Sequence, residues 1–364
     1  MPTPIKGRGA VSNRASRHLR THVEPDPAPP PSDAPGEPDA SAPLARHPAT
    51  RVLRDAARTV ISRNDSPDVP FDQSLNPYRG CEHGCVYCFA RPSHARLDHS
   101  PGLDFETLIY AKHEAAQLLD RELRRPGYRP SPINLGANTD PYQPAERELG
   151  LTRAVLAKCL EFRQPVTIVT KSALVTRDVD LLGELARERL AAVYVSVTTL
   201  DPALKRTLEP RAASPAARLR ALATLSAAGV PTGVMVAPVI PALTDHELEA
   251  ILAGAREAGA ARAAYVWLRL PLEVRELFHE WLDAHVPLRA ARVRKLVREL
   301  RGGRDNDPRF GHRMRGQGAY ADAFRARFAA ACRRFGYESR EGAALDASRF
   351  RVPADAASTQ LALW

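Results

Sequence analysis

The 364-residue chain carries 52 Lys and Arg against 42 Asp and Glu, a formal net charge of +10, with 44% apolar and 26% charged residues. That is enough length for a sizeable buried core, so the chain is not limited to a small stapled scaffold. No run approaches the roughly 18 apolar residues of a membrane span, and the basic N-terminus lacks an apolar signal core. The five cysteines, three of them clustered, do not make a secreted disulfide framework, so a cytoplasmic, reducing location is expected. The positive excess suits a polyanionic partner such as nucleic acid, and equally suits plain solubility.

Residues 1–45 split into a basic stretch (Lys6, Arg8, Arg14, Arg17, Arg20) and a Pro/Ala/Asp stretch from Glu24 to Pro43. Neither has apolar periodicity, and a disordered N-terminal tail is expected. From about Arg51 the composition becomes globular. One strand is expected before Cys81, and further strands at Ile133–Gly136, Val166–Thr170, Ala192–Thr198, Thr232–Ala237 and Ala264–Leu270. Helical patterns lie between them at Leu151–Phe162, Val179–Leu190, Pro215–Ala228 and Leu248–Ala258, two of them closing at Gly229 and Gly259. This alternation predicts an α/β fold with a parallel sheet and functional loops at the strand C-termini. About six βα units fit a partial (βα)6 TIM-like barrel, and an open doubly wound sheet fits the same pattern. The expected layout is a tail over 1–45, a barrel over 46–285, a basic helical C-terminal extension over 286–345 and a flexible tail over 346–364.

The segment Asn76-Pro77-Tyr78-Arg79-Gly80-Cys81-Glu82-His83-Gly84-Cys85-Val86-Tyr87-Cys88-Phe89 has the spacing C-x3-C-x2-C. Three thiolates on a cubane iron-sulfur cluster leave the fourth iron open to a small-molecule ligand, and S-adenosylmethionine (SAM) can occupy it through its amino and carboxylate groups. The alternative is zinc held by these cysteines with His83 or His94. Cys159 and Cys332, isolated in helical patterns, read as buried small hydrophobes.

At this motif the sequence resembles the radical SAM superfamily, and Tyr87 just before Cys88 also fits. From about Phe71 to Pro241 it resembles spore photoproduct lyase and an uncharacterised bacterial subfamily of that kin. The supporting segments are Thr170-Lys171-Ser172, Val195-Ser196-Val197, Glu209-Pro210-Arg211-Ala212-Ala213-Ser214 leading to Arg218, and Ala228-Gly229-Val230-Pro231. The resemblance implies a [4Fe-4S] cluster on Cys81, Cys85 and Cys88. It also implies SAM carboxylate contacts from Lys171 and Ser196, and a loop at Gly136 to Tyr142 in which Asp140 or a backbone carbonyl meets the SAM amino group. Asn138 stands where the lyase has its hydrogen-donating cysteine, and Phe89 where it has a tyrosine. The thymine-dimer reaction is therefore put in doubt while SAM cleavage is not.

Between Arg289 and Arg340 there are 15 Lys and Arg against 5 Asp and Glu, so the basicity is localised. A Gly/Arg loop there offers Arg301, Arg304, Arg313 and Arg315 to phosphates. The final residues Gln360-Leu361-Ala362-Leu363-Trp364 resemble the peptide by which bacterial repair proteins dock on the DNA sliding clamp, with Gln360, Leu361, Leu363 and Trp364 as contacts. The expected function is a radical SAM enzyme acting on nucleic acid, with an electron donor such as flavodoxin. The alternatives are radical modification of a small molecule or peptide, and a zinc-stabilised nucleic-acid-binding module.

Overall fold

The β-branched runs do become strands, and the small polar residues before the helices become caps. Ser214 Oγ accepts from Ala217 N at 3.2 Å ahead of Pro215, and Asp201 accepts from Ala203 N at 2.7 Å ahead of Pro202. The computed structural model describes residues 4–18, 49–338 and 345–354. Its strands are β1 (Arg51–Arg54), β2 (Ile61–Arg63), β3 (Gln73–Leu75), β4 (Tyr78–Arg79), β5 (Leu108–Ala111), β6 (Ile133–Leu135), β7 (Val166–Thr170), β8 (Ala191–Ser196), β9 (Thr232–Val239) and β10 (Arg262–Trp267).

Seven of them form one sheet in the order β10-β9-β8-β7-β6-β3-β2, parallel throughout except for the β2–β3 pair. The six parallel strands lie in strict chain order, each beside the next. A doubly wound sheet reverses its order at a switch point, and this sheet has none, so the winding is that of a barrel wall. β10 pairs only with β9 among the described residues, and the wall stays open between its two edges.

The pleat then decides which residues face the enclosed side. Val166, Ile168 and Thr170 of β7 are buried while Thr167 and Val169 are half-buried. Val166, Ile168 and Thr170 sit in register with Ala191, Val193 and Val195 of β8, and these buried rows meet the outer helices in the main core with Leu156, Leu182 and Leu222. The opposite face carries Asn134, Thr167, Val169, Tyr194, Gly233 and Met235. Thr167 Oγ1 donates to Asn134 Oδ1 at 3.0 Å, and a Cβ on Gly233 would lie 2.6 Å from the Tyr194 ring.

Three features depart from the sequence expectations. A second sheet, β1-β5-β4, was not anticipated, because strands of two to four residues carry too little alternation to read. The last strand begins at Arg262 rather than Ala264 and ends at Trp267, where its register with β9 shifts between Tyr265 and Trp267.

The third concerns the N-terminus, where residues 4–18 of the expected tail lie as a strap against the body. Gly9 N and Ala10 N donate to the two Glu106 carboxylate oxygens at 3.0 and 2.8 Å, and Ser16 Oγ donates to Ala95 O at 2.8 Å. Arg14 and Arg17 pair at 2.5 Å with Glu280 and Glu273. These long-range carboxylates order a stretch that has no apolar periodicity of its own. The remainder of that expected tail, residues 19–48, lies outside the described residues. No described helix is long and apolar enough to cross a membrane.

A Cβ on Gly9 would meet Gly84 O at 1.8 Å. Gly9→Ala is therefore expected to release the strap, read as faster tryptic cleavage after Arg14 and Arg17 while the rest of the chain stays resistant. Equal rates in variant and wild type would show that this contact does not hold the strap.

Candidate active site

β3, the first parallel strand, leads through the short β4 into the cysteine loop, which from Gly80 onward has no ladder of its own. Its backbone groups are satisfied one by one from outside. Cys81 N donates to Phe105 O at 2.9 Å, Val86 N to Leu208 O at 3.0 Å, Thr139 Oγ1 to Gly80 O at 2.6 Å, and Arg91 Nε to Cys85 O at 2.9 Å. Gly84, at φ +67°, has Glu106 Oε2 2.7 Å from where a Cβ would stand, so the chain passes there only as glycine.

All three cysteines are free, Cys81 and Cys85 buried and Cys88 half-buried. Burial raises all three thiol pKa values, that of Cys85 to about 12 with the Glu209 charge adding to the rise and the Lys171 charge opposing it. Such thiols are poor nucleophiles and poor redox sensors. A cationic centre is what makes thiolates of them, and three free sulfurs on one tight loop suit a cluster with three protein ligands. Among the described residues no three His, Cys, Asp or Glu side chains gather closely enough for a single ion. The two histidines of the zinc alternative have structural bonds: His83 Nδ1 meets Asp140 at 3.2 Å, and His94 Nε2 meets Leu108 O at 2.9 Å.

Lys171 directly follows Thr170, the last residue of β7, and Ser196 is the last residue of β8, paired with Met235; they share the parity of Val169 and Tyr194, so both stand on the enclosed face next to the cysteine loop. Lys171 Nζ lies 5.8 Å from the Tyr87 ring centroid, and Ser196 is 3% exposed. Tyr87 is itself committed: its hydroxyl donates to Glu209 and lies 3.1 Å from Thr198 Oγ1.

Asp140 is also committed. Its oxygens accept from Thr170 Oγ1 and Lys171 N at 2.7 Å each and from Tyr142 N at 2.9 Å, besides the His83 contact. Burial alone would raise its pKa, but the His83 charge and these donors bring it down to about 2. Through these contacts Asp140 fastens the cysteine loop to the end of β7. Asn138 N donates to Asn76 Oδ1 at 2.9 Å in the same loop.

Glu209 and Arg218 belong to no chemical motif in the sequence. Both are about 1% exposed and paired, and Arg218 also donates to Ser196 O at 3.0 Å, which joins the end of β8 to Tyr87. The available signal was an Arg at helical spacing with Ala221, Leu222 and Leu225, on the apolar face of Pro215–Ala227.

The basic loop differs most from expectation. Arg301 is 2% exposed and donates to Leu268 O at 2.5 Å and to His312 O and Arg313 O at 3.0 and 2.9 Å, so it pins the loop to the end of β10 and cannot reach a phosphate. Arg313 pairs with Asp68 at 2.5 Å, whereas Arg304 and Arg315 are exposed. Cys159 lies in the main core and Cys332 packs against it. Gln360 to Trp364 lie outside the described residues.

The family model described as Radical SAM superfamily matches residues 75–253. An uncharacterised protein of Mycobacterium tuberculosis is 40% identical over 232 residues, 63% of this chain and 68% of that protein. An uncharacterised protein of Methanocaldococcus jannaschii is 29% identical over 196 residues, 54% of this chain and 70% of its own. Among solved structures, spore photoproduct lyase complexed with dinucleoside spore photoproduct is similar with a TM-score of 0.53 at 14% identity, covering 78% of this chain and 79% of that one. At that identity the likeness concerns the fold.

Glu209→Gln keeps the side chain's shape and leaves Arg218 without its counter-charge, at an expected cost of about 3 kcal/mol by urea unfolding. Burial would raise the Glu209 pKa, but the Arg218 and Lys171 charges hold it at about 2, below its ordinary 4.5. A depressed carboxylate stabilises fully above its unfolded pKa and loses that contribution as pH falls toward its folded one. Wild type should therefore lose more stability than Glu209→Gln between about pH 5 and about pH 3.

Proposed function

This chain belongs to the radical SAM superfamily, and from that membership we propose an enzyme in which Cys81, Cys85 and Cys88 hold the family's [4Fe-4S] cluster and the substrate is a nucleic acid. When bound, the cluster supplies the electron that cleaves SAM to methionine and a 5′-deoxyadenosyl radical, which abstracts hydrogen from the substrate. The reading rests on one observation: three free thiols sit on one buried loop at the mouth of a parallel wall, beside Lys171 and Ser196 on adjacent strand ends.

Lys171 supplies the cation and Ser196 the hydroxyl for the SAM carboxylate, from a face that the strand register fixes. The Tyr87–Glu209–Arg218 contacts keep the Cys88 side of the loop against β8, and the His83–Asp140 contact keeps the Cys81 side against β7. Core residues Val86 and Tyr87, packed with Leu208 and Trp281, exclude water beneath the loop.

Three observations support nucleic acid: the localised basicity of residues 289–340, the fastening of the Gly/Arg loop to the end of β10 with Arg304 and Arg315 exposed, and a lyase of like fold complexed with a dinucleoside spore photoproduct. Because Asn138 replaces that enzyme's cysteine, the hydrogen returned to the product comes from another donor, and the outcome is a related repair or modification chemistry. We place the protein in the reducing cytoplasm, with flavodoxin or a similar small reductant as electron donor.

Cys81→Ala, Cys85→Ala and Cys88→Ala should each lose the brown cluster and 5′-deoxyadenosine formation from SAM under dithionite, with Cys159→Ala and Cys332→Ala retaining both. Lys171→Ala and Ser196→Ala should assemble the cluster yet bind SAM about tenfold or more weakly, the size of a charge-assisted contact. A cluster lost in Cys159→Ala at unchanged folding, or SAM affinity unchanged in both strand-end variants, contradicts the assignment. Docking on the DNA sliding clamp through Gln360 to Trp364 is proposed from sequence alone. It predicts that deleting residues 360–364 abolishes co-purification with purified clamp, and equal retention ends it.

A further inference from the structure

Beyond β10 the chain runs Leu268-Arg269-Leu270. Both leucines are buried in the core beneath the cysteine loop, and the arginine alternates to the other side. There its guanidinium is largely desolvated without a carboxylate. Its Nε is buried with no hydrogen-bond partner, one terminal nitrogen lies 3.7 Å from Met314 Sδ, and its carbon stands 5.5 Å from the centroid of the Phe89 ring. The nearby carboxylate, Asp68, is bonded to Arg313, and burial together with the Arg313 charge lowers the Arg269 pKa to about 10. A guanidinium left in this state is costly unless a ligand brings the missing anion.

Phe89 directly follows Cys88 and is 49% exposed, an apolar ring open to solvent at the edge of the cluster loop. The arrangement recurs beside it, where Phe310 is 54% exposed and has the Arg313 guanidinium carbon 4.5 Å from its ring centroid. A cation without a carboxylate beside an open aromatic face, with a second open ring nearby, matches the phosphate and flat bases of an unpaired strand. A peptide carboxylate would use the cation and leave both rings without a function.

We infer that Arg269 and Phe89 form the site for a nucleotide unit of the substrate, the guanidinium taking a phosphate and the ring stacking on an unpaired base beside the cysteine loop. This rests on the nucleic-acid reading above and adds contact residues to the Arg301, Arg304, Arg313 and Arg315 expected from the sequence. The attacked base is on this account unstacked from its neighbours, so single-stranded or extruded nucleotides are bound and intact duplex is not.

The test is fluorescence anisotropy of labelled oligo(dT) and oligo(U) decamers with the anaerobically reconstituted protein, which also distinguishes DNA from RNA. Arg269→Gln and Phe89→Leu should each weaken binding of the preferred probe about tenfold. Arg292→Gln, which removes an exposed charge elsewhere in the basic third, should change it less than twofold. The salt dependence of Arg269→Gln should be shallower by about 0.7, the slope of one lost single-strand phosphate contact. Circular dichroism and thermal midpoints establish folding. Phe89→Leu, on an exposed side chain, keeps the test open if Arg269→Gln does not fold.

Wild-type affinity in both variants overturns the proposal. So does displacement of the probe by polyglutamate as readily as by unlabelled oligonucleotide, or failure of wild type to bind either decamer. If wild type forms no 5′-deoxyadenosine while both variants still lose binding, the site stands and the radical reading falls.

Discussion

A loop that carries three thiols into the interior cannot form strand or helix hydrogen bonds while bending around a cluster, so its backbone and its position must be secured by side chains from elsewhere. Three buried carboxylates do this. Glu106 holds Arg91 at 2.5 Å, and Arg91 in turn holds the carbonyl of Cys85. Asp140 holds His83 from the end of β6, and Glu209 holds Tyr87 from beyond β8. Each carboxylate is matched by a cation or several donors, which is the condition for burying charge at all. Apolar residues would pack the same volume without fixing the direction of the loop.

The barrel wall supplies what this loop needs opposite it. Because the six parallel strands follow one another without reversal, their C-terminal ends lie side by side, and residues of like parity on β7 and β8 point into one space. Lys171 and Ser196 are brought together in this way, although 25 positions apart in sequence. Further down, the enclosed face carries the polar and small residues Asn134, Thr167 and Gly233, and the aliphatic packing lies on the outside.

The N-terminal strap and the segment that follows β10 both return to the cysteine loop. The N-terminal strap joins Glu106 on one side and helix Val274–His285 on the other, through Glu273 and Glu280. That helix and its successor Pro287–Leu300 share a core with Val86 and Tyr87. The Gly/Arg loop comes back through Arg301 to the end of β10. The Gly/Arg loop is thus fixed beside the C-terminal end of the wall.

The cysteine spacing, the βα alternation and the basic third were legible in the sequence because each is a local pattern, set by residues a few positions apart and by periods of 2 or 3.6. Most strands and helices accordingly begin and end within a residue or two of where the pattern puts them, as at β7 and at helix Pro215–Ala227. Three things were decided only by the tertiary structure. They are the choice of barrel over doubly wound sheet, the ordering of residues 4–18, and the partition of arginines between core and surface. Strand order depends on which face each crossover covers, and the strap depends on Glu106 about 97 residues away. Arg301 and Arg269 have the same chemistry on paper, but one meets four backbone carbonyls and the other none. A guanidinium's role is set by the acceptors around it, and those come from parts of the chain that only folding brings together.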